Sequence, residues 1–156
     1  MHIAMHAFGK ITLFFCAGAI YVASGKVNVS QLNGLGKVMP FTFAAFFIGA
    51  CSVIGLPPLG GMWSKYYLAL AAADTGQLFF LGALMVSSIL NVAYLMPIVG
   101  RGFFRPSDAP EEGDGIKEAP VFCVIPLCIS ALGCIALFFF ADDLYNLLLP
   151  LAGEVK

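Results

Sequence analysis

The sequence predicts an all-α, polytopic membrane protein with four transmembrane helices, the second of them broken. Three observations carry that prediction. Apolar residues make up 60% of the 156 and charged residues 11%, and mean hydropathy is +0.93, well outside the range of a water-soluble globular domain. Four apolar segments, at about 1–24, 40–73, 77–103 and 120–141, reach the roughly 20 residues that cross a bilayer. The second is interrupted by Gly55-Leu56-Pro57-Pro58-Leu59-Gly60-Gly61. The chain reads as a single transmembrane unit over 1–156, with no room for a soluble catalytic domain. A net charge of −1 gives no basis for a nucleic-acid partner.

The first span carries His2, His6 and Lys10 at i, i+4 and i+8, a column about 12 Å long on one helix face. The connection 25–39 is polar and glycine-containing, holds Lys26 and Lys37, and suits a short interfacial helix. In the second span Pro57 and Pro58 remove two N–H donors and clash with the preceding turn, so the helix stops. Leu56, ahead of a proline, is pushed out of helical geometry as well. Gly55, Gly60 and Gly61 let the chain bend and re-enter a helix near Met62, one turn before Lys65. Broken backbone at membrane depth is tolerated only inside protein or beside a wet cavity.

The third span holds Ser87, Ser88 and Asn91, read as interhelical packing residues, with hydrogen bonding across helices or a cavity-facing position as the alternatives. The loop 105–118 is the strongly polar stretch, with Pro106, Pro110 and most of the acidic residues. The fourth span ends where Asp142 and Asp143 mark the water interface, and a short amphipathic tail follows through Leu149. Pro97 and Pro126 are kink positions, and Gly49, Gly82 and Gly133 are read as close-packing sites. If the broken segment crosses once, loops 25–39 and 101–118 share a side. They carry Lys26, Lys37, Arg101, Arg105 and Lys117, against Lys156 alone on the other side. The bias toward basic loops places both in the cytoplasm of a bacterial-type inner membrane.

Histidines and a lysine at one-turn spacing are the groups a proton relay needs, because each hop must be short or bridged by water. Polar residues near an interfacial helix end are the alternative for His2 and His6, and snorkelling is the alternative for Lys10. Lys65 is a functional-site candidate because an unpaired charge in hydrocarbon is costly. Its alternative is a structural cation on the carbonyls freed by the break, where an ion or water chain can also dock. Ser64 and Trp63 are supporting residues. Cys16, Cys51, Cys123, Cys128 and Cys134 lie in apolar runs without metal or redox spacing and read as small buried hydrophobes. His2 and His6 alone make no metal site, no cofactor is implied, and Tyr66 and Tyr67 have no constellation for quinone chemistry.

The run His2-x-x-x-His6-Ala7-Phe8-Gly9-Lys10-x-x-x-Phe14 resembles the H-x-x-x-H-A-F-F-K helix of antiporter-like proton-translocating subunits. These belong to respiratory complex I and to Mrp-type sodium/proton antiporters. Gly34-Leu35-Gly36-Lys37-Val38-Met39-Pro40 is similar to the connection that follows there. Gly55-Leu56-Pro57-Pro58-x-x-Gly61-x-x-Ser64-Lys65 resembles the family's second broken helix. Lys117-Glu118-Ala119-Pro120, with Pro126, resembles the lead-in to its last helix. A lysine after Ser64 looks more like antiporter D-type subunits than the complex I subunit with glutamate there.

The resemblance implies the last four helices of a fold of about fourteen, and a role for matched positions. His2, His6 and Lys10 would form a central relay, and Lys65 would pass protons to or from one side. It implies translocation of protons, or exchange of protons for sodium or potassium, among other membrane subunits of an antiporter or an NADH-quinone oxidoreductase-type translocase. The chain by itself would catalyse no covalent chemistry. Gly9 stands where the family has an aromatic, a departure read as small. The resemblance covers only the last four of those helices, which suggests a C-terminal part of a larger family domain, and a transport-inactive structural remnant is the rival reading.

Overall fold

The computed structural model describes residues 1–106 and 116–153, and every described element is helical. Helix α1 (His2–Ser24) is followed by a 3₁₀ turn (Val29–Leu32) and a single helical turn, α2 (Leu35–Val38). Then come α3 (Pro40–Ile54), α4 (Gly60–Asp74), α5 (Leu78–Phe104), α6 (Val121–Phe139) and α7 (Ala141–Gly153). Helices α1, α5 and α6, at 23, 27 and 19 residues, are each long and apolar enough to cross a membrane. Positions 107–115 of the acidic loop, with Pro110, and the terminal Lys156 lie outside the described residues.

Local chemistry sets the ends. Helix α1 stops at Gly25, whose φ of 66° is left-handed and whose N–H donates to Tyr21 O at 2.8 Å. Pro40 occupies the first turn of α3, where a missing N–H costs nothing. Helix α3 ends at Gly55 with φ 91°, and both Gly55 N–H and Leu56 N–H donate to Cys51 O at 2.9 Å. The next helix begins at Gly60 rather than Met62, because Leu59 is extended and supplies the non-helical residue before the first turn. Residues 40–73 are thus carried by two helices of 15 residues each. The Pro57–Pro58 peptide bond between them is cis.

One face of α1 makes the core. Met5, Gly9, Thr12, Cys16 and Ala19 recur at steps of four and three, and all are buried. They face α3 and α6, around Phe43 and Leu127, which are fully buried. Helices that have left water associate through close packing and hydrogen bonds, so small side chains at the crossings matter. A Cβ on Gly49 would sit 3.1 Å from Thr12 Cγ2 and 3.3 Å from Gly9 O, and one on Gly133 would meet the Phe8 ring at 2.6 Å. Both glycines are where helices touch. Gly82 is not: among the described residues nothing lies within 4 Å of its would-be Cβ, because α5 turns that face away from the other described helices. Gly9 is also more than a small departure. A Cβ there would lie 2.9 Å from Val53 Cγ2, so an aromatic side chain has no space in this packing.

Cys16, Cys51 and Cys134 are buried, Cys123 and Cys128 are half-buried, and none forms a disulfide. Helices α5 and α6 run on through Pro97 and Pro126. Helix α7 follows α6 after Phe140 and is tied to α4 by Tyr145 stacked on Tyr67, with ring centroids 5.0 Å apart.

Candidate functional site

The site is assembled where α3 ends. The last carbonyls of a helix have no partner inside it. One of them, Ile54 O, accepts a hydrogen bond from Lys65 Nζ at 2.8 Å, so a side chain of α4 closes the helix that precedes it. A cation here also meets the negative end of the α3 dipole. The same Nζ donates to Ser88 Oγ on α5 at 2.8 Å, and Ser88 donates onward to Leu84 O at 3.0 Å. Lys65 therefore joins α3, α4 and α5. Of the three polar residues in the third span, Ser88 is the one bonded to another helix, whereas Asn91 accepts from Tyr94 OH of its own helix at 2.8 Å. Packing is the reading the sequence prefers for Ser88; its alternative, a hydrogen bond across helices, is what the structure shows.

Two glycines make the geometry feasible. A Cβ on Gly61 would overlap Ser52 O and lie 2.9 Å from Ser52 C, so only glycine lets α4 start against the last turn of α3. A Cβ on Gly55 would meet Lys65 Cδ at 2.9 Å, so the lysine stem runs across the open face of that residue. Gly60, with Leu137 Cβ 3.0 Å from its would-be Cβ, seats the start of α4 on α6. Pro57 and Pro58 lie in the turn between, exposed.

The histidine end reaches the same place. His2 Nδ1 is 3.1 Å from Ser64 Oγ, and Ser64, buried, donates to Gly61 O at 3.0 Å. His6 stacks on His2 with ring centroids 5.5 Å apart. His2, His6, Ser64 and Lys65 are thus brought together, although 62 residues separate His2 from Ser64 in the chain. Lys10 is not. It sits on the exposed side of α1, and no hydrogen bond or ion pair reaches it among the described residues. Trp63 supports the start of α4 through ring contacts with Phe138 on α6 and with Tyr67, at 6.0 and 6.2 Å. Among the described residues its buried Nε1 has no acceptor.

A second charged cap was missed by residue-type reasoning. Glu118 Oε1 accepts from Phe41 N–H at 2.7 Å and Thr42 N–H at 3.4 Å, while Oε2 accepts from Thr42 Oγ1 at 2.7 Å. A carboxylate on the first free N–H groups of a helix is favoured by both hydrogen bonding and the dipole. Helix α3 consequently carries an acid at its N-terminus and a lysine at its C-terminus. The pairing with Pro40-Phe41-Thr42 had no signal in the local sequence, since Thr42 and Glu118 stand 76 positions apart in the chain.

Residues 1–91 match the family described as "NADH:quinone oxidoreductase/Mrp antiporter, TM". The chain belongs to that family. It is 30% identical over 158 aligned residues to NADH-quinone oxidoreductase subunit N of Desulforudis audaxviator, an alignment that covers 94% of this chain and 31% of that protein. It is 29% identical to the D-type Na(+)/H(+) antiporter subunit of Alkalihalophilus pseudofirmus, covering 99% of this chain and 31% of that one. Among solved structures it is similar to a chain of respiratory complex I from Thermus thermophilus with bound Aureothin. That likeness has a TM-score of 0.65 and 25% identity, and covers 94% of this chain and 34% of that chain. The chain spans about a third of the length of these relatives, and the two subunits differ little in their identity to it, 30% and 29%.

Proposed function

We propose that the chain is a translocation component of a multisubunit antiporter or complex I-like membrane assembly, moving protons or exchanging protons for a monovalent cation. The observation that carries this reading is that the stacked His2–His6 pair reaches Ser64, the residue next to Lys65 in the chain, at the α3–α4 break where Lys65 holds Ile54 O. In this reading α3 and α4 together make one crossing, and loops 25–39 and 101–118 lie in the cytoplasm. Two stacked imidazoles, a hydroxyl and an ammonium group are proton carriers in sequence, and water bridges the longer gaps. Lys10, one turn beyond His6, continues the line toward a surface that other helices cover, because an exposed lysine mid-span is costly in lipid. No covalent step occurs. Charge moving along the line is felt by neighbouring subunits electrostatically, which is the coupling an assembly of such subunits needs.

The structural reading also has an observation behind it: Lys65 bonded to Ile54 O is what a helix cap does. Cation-dependent dissipation of ΔpH in everted vesicles separates the two. The chain is expressed alone and with its neighbouring reading frames in an antiporter-deficient host, each beside Lys65→Ala and Lys10→Ala. Activity that requires the neighbours and disappears in both variants supports translocation. Activity indifferent to both substitutions removes the lysines from the mechanism. A folded, membrane-inserted assembly without activity leaves the structural reading.

A further inference from the structure

Between α4 and α5 a crevice of about 390 Å³ opens beside the helix break. That volume falls in the range of small-ligand sites. Its walls are apolar, with Ile54, Leu84, Met85, Ile89 and Val92 among them, and Lys65 is the charged group that lines it. The flank around it exposes Leu68, Leu70, Met85 and Ile89, so the opening lies on an apolar face of the chain.

The lysine there is incompletely satisfied. An ammonium group has three N–H donors. Ile54 O and Ser88 Oγ take two of them, and both are neutral acceptors. Among the described residues no carboxylate pairs with it. A cation removed from water is held best when a counter-charge and a full set of acceptors surround it. The α3 C-terminus supplies only a partial negative charge. One donor and most of a positive charge are left in the lining of an apolar crevice. The side chain is also fixed in place, its stem lying against Gly55.

We propose that this crevice binds a single-chain membrane amphiphile with an anionic head, a long-chain carboxylate, whose head accepts the third Lys65 N–H while its chain lies along Leu84, Met85 and Val92. Charge complementarity selects the head, the apolar walls select the chain, and the narrow volume selects one chain over two. This inference does not depend on translocation, because occupancy is read without transport.

The test uses the full chain in lipid nanodiscs with a photoreactive dodecanoate carrying a diazirine on its chain, and adducts are mapped by mass spectrometry. Labelling is expected to concentrate on 84–92, with unlabelled dodecanoate competing at least about tenfold better than dodecanol. That ratio is what losing one charge-assisted hydrogen bond produces. Lys65→Met is expected to weaken competition by about the same factor. Ala69→Trp, which fills the crevice without removing the lysine, is expected to abolish site-selective labelling and decides the matter if Lys65→Met does not fold. Labelling spread evenly along the lipid-facing helices overturns the proposal. So does equal competition by dodecanol, or labelling unchanged by Ala69→Trp.

Discussion

Replacing Gly61 by alanine sets two effects against each other. Helix propensity alone says that alanine stabilises, by at most about 1 kcal/mol, because glycine loses more backbone freedom on folding. The structure says the reverse. The new Cβ would overlap Ser52 O and approach Ser52 C to 2.9 Å, and both are backbone atoms of α3 that no rotamer change can move. Forcing such a contact costs about 1–3 kcal/mol. Separating α4 from α3 also stretches the Lys65–Ile54 hydrogen bond, now 2.8 Å and worth about 1.5–3 kcal/mol as a charge-assisted bond. The net expectation is destabilisation by roughly 1–4 kcal/mol. Gly82→Ala is the control, since its Cβ would meet nothing within 4 Å and only the propensity gain remains. The assay is loss of helical circular dichroism on heating or on titration with a denaturing detergent, for both variants beside the parent. If Gly61→Ala is as stable as Gly82→Ala, the close approach of α3 and α4 is not part of the folded protein and the reasoning built on it fails.

Three further expectations follow from other contacts. His2→Ala and Ser64→Ala, measured singly and together, should show a coupling of about 0.5–1.5 kcal/mol, the worth of one hydrogen bond, and additivity would deny the bond. Glu118→Ala should destabilise by about 1–2 kcal/mol and speed hydrogen exchange at the Phe41 and Thr42 amides. Glu118→Gln, which keeps an acceptor but no charge, should fall between; unchanged exchange in both variants would remove the cap. Gly9→Phe, which restores the aromatic of the family motif, should lower the melting temperature through its collision with Val53, and an unchanged melt would mean that α1 and α3 can part without cost.

Some of the site was legible in the amino-acid order. Lys65 stood out because one charge in a long apolar run has few explanations, and Gly55-Leu56-Pro57-Pro58 announced a stop because proline chemistry is local. The His2–His6 stacking followed from i, i+4 spacing within one helix. Partners in other helices were not legible. Nothing near Lys65 in the chain names Ile54 O or Ser88, nothing near His2 names Ser64, and nothing near Phe41 names Glu118. The exposed position of Lys10 likewise depends on which face of α1 the core claims.

Glycine shows the division most sharply. Gly82 and Gly133 have similar apolar helical surroundings in sequence, yet one faces open space and the other lies under the Phe8 ring. Gly9 looked like a tolerated departure from a motif, but Val53 lies against it. The sequence by itself determined that the chain belongs in a bilayer, where its helices stop, and which residues carry titratable groups, because hydropathy, proline and side-chain chemistry act over one or two turns. The tertiary structure alone decided which helix faces meet, and with them the partners of Lys65, His2 and Glu118. Contacts across helices depend on how apolar surfaces of similar composition interlock, and that fit belongs to two segments at once.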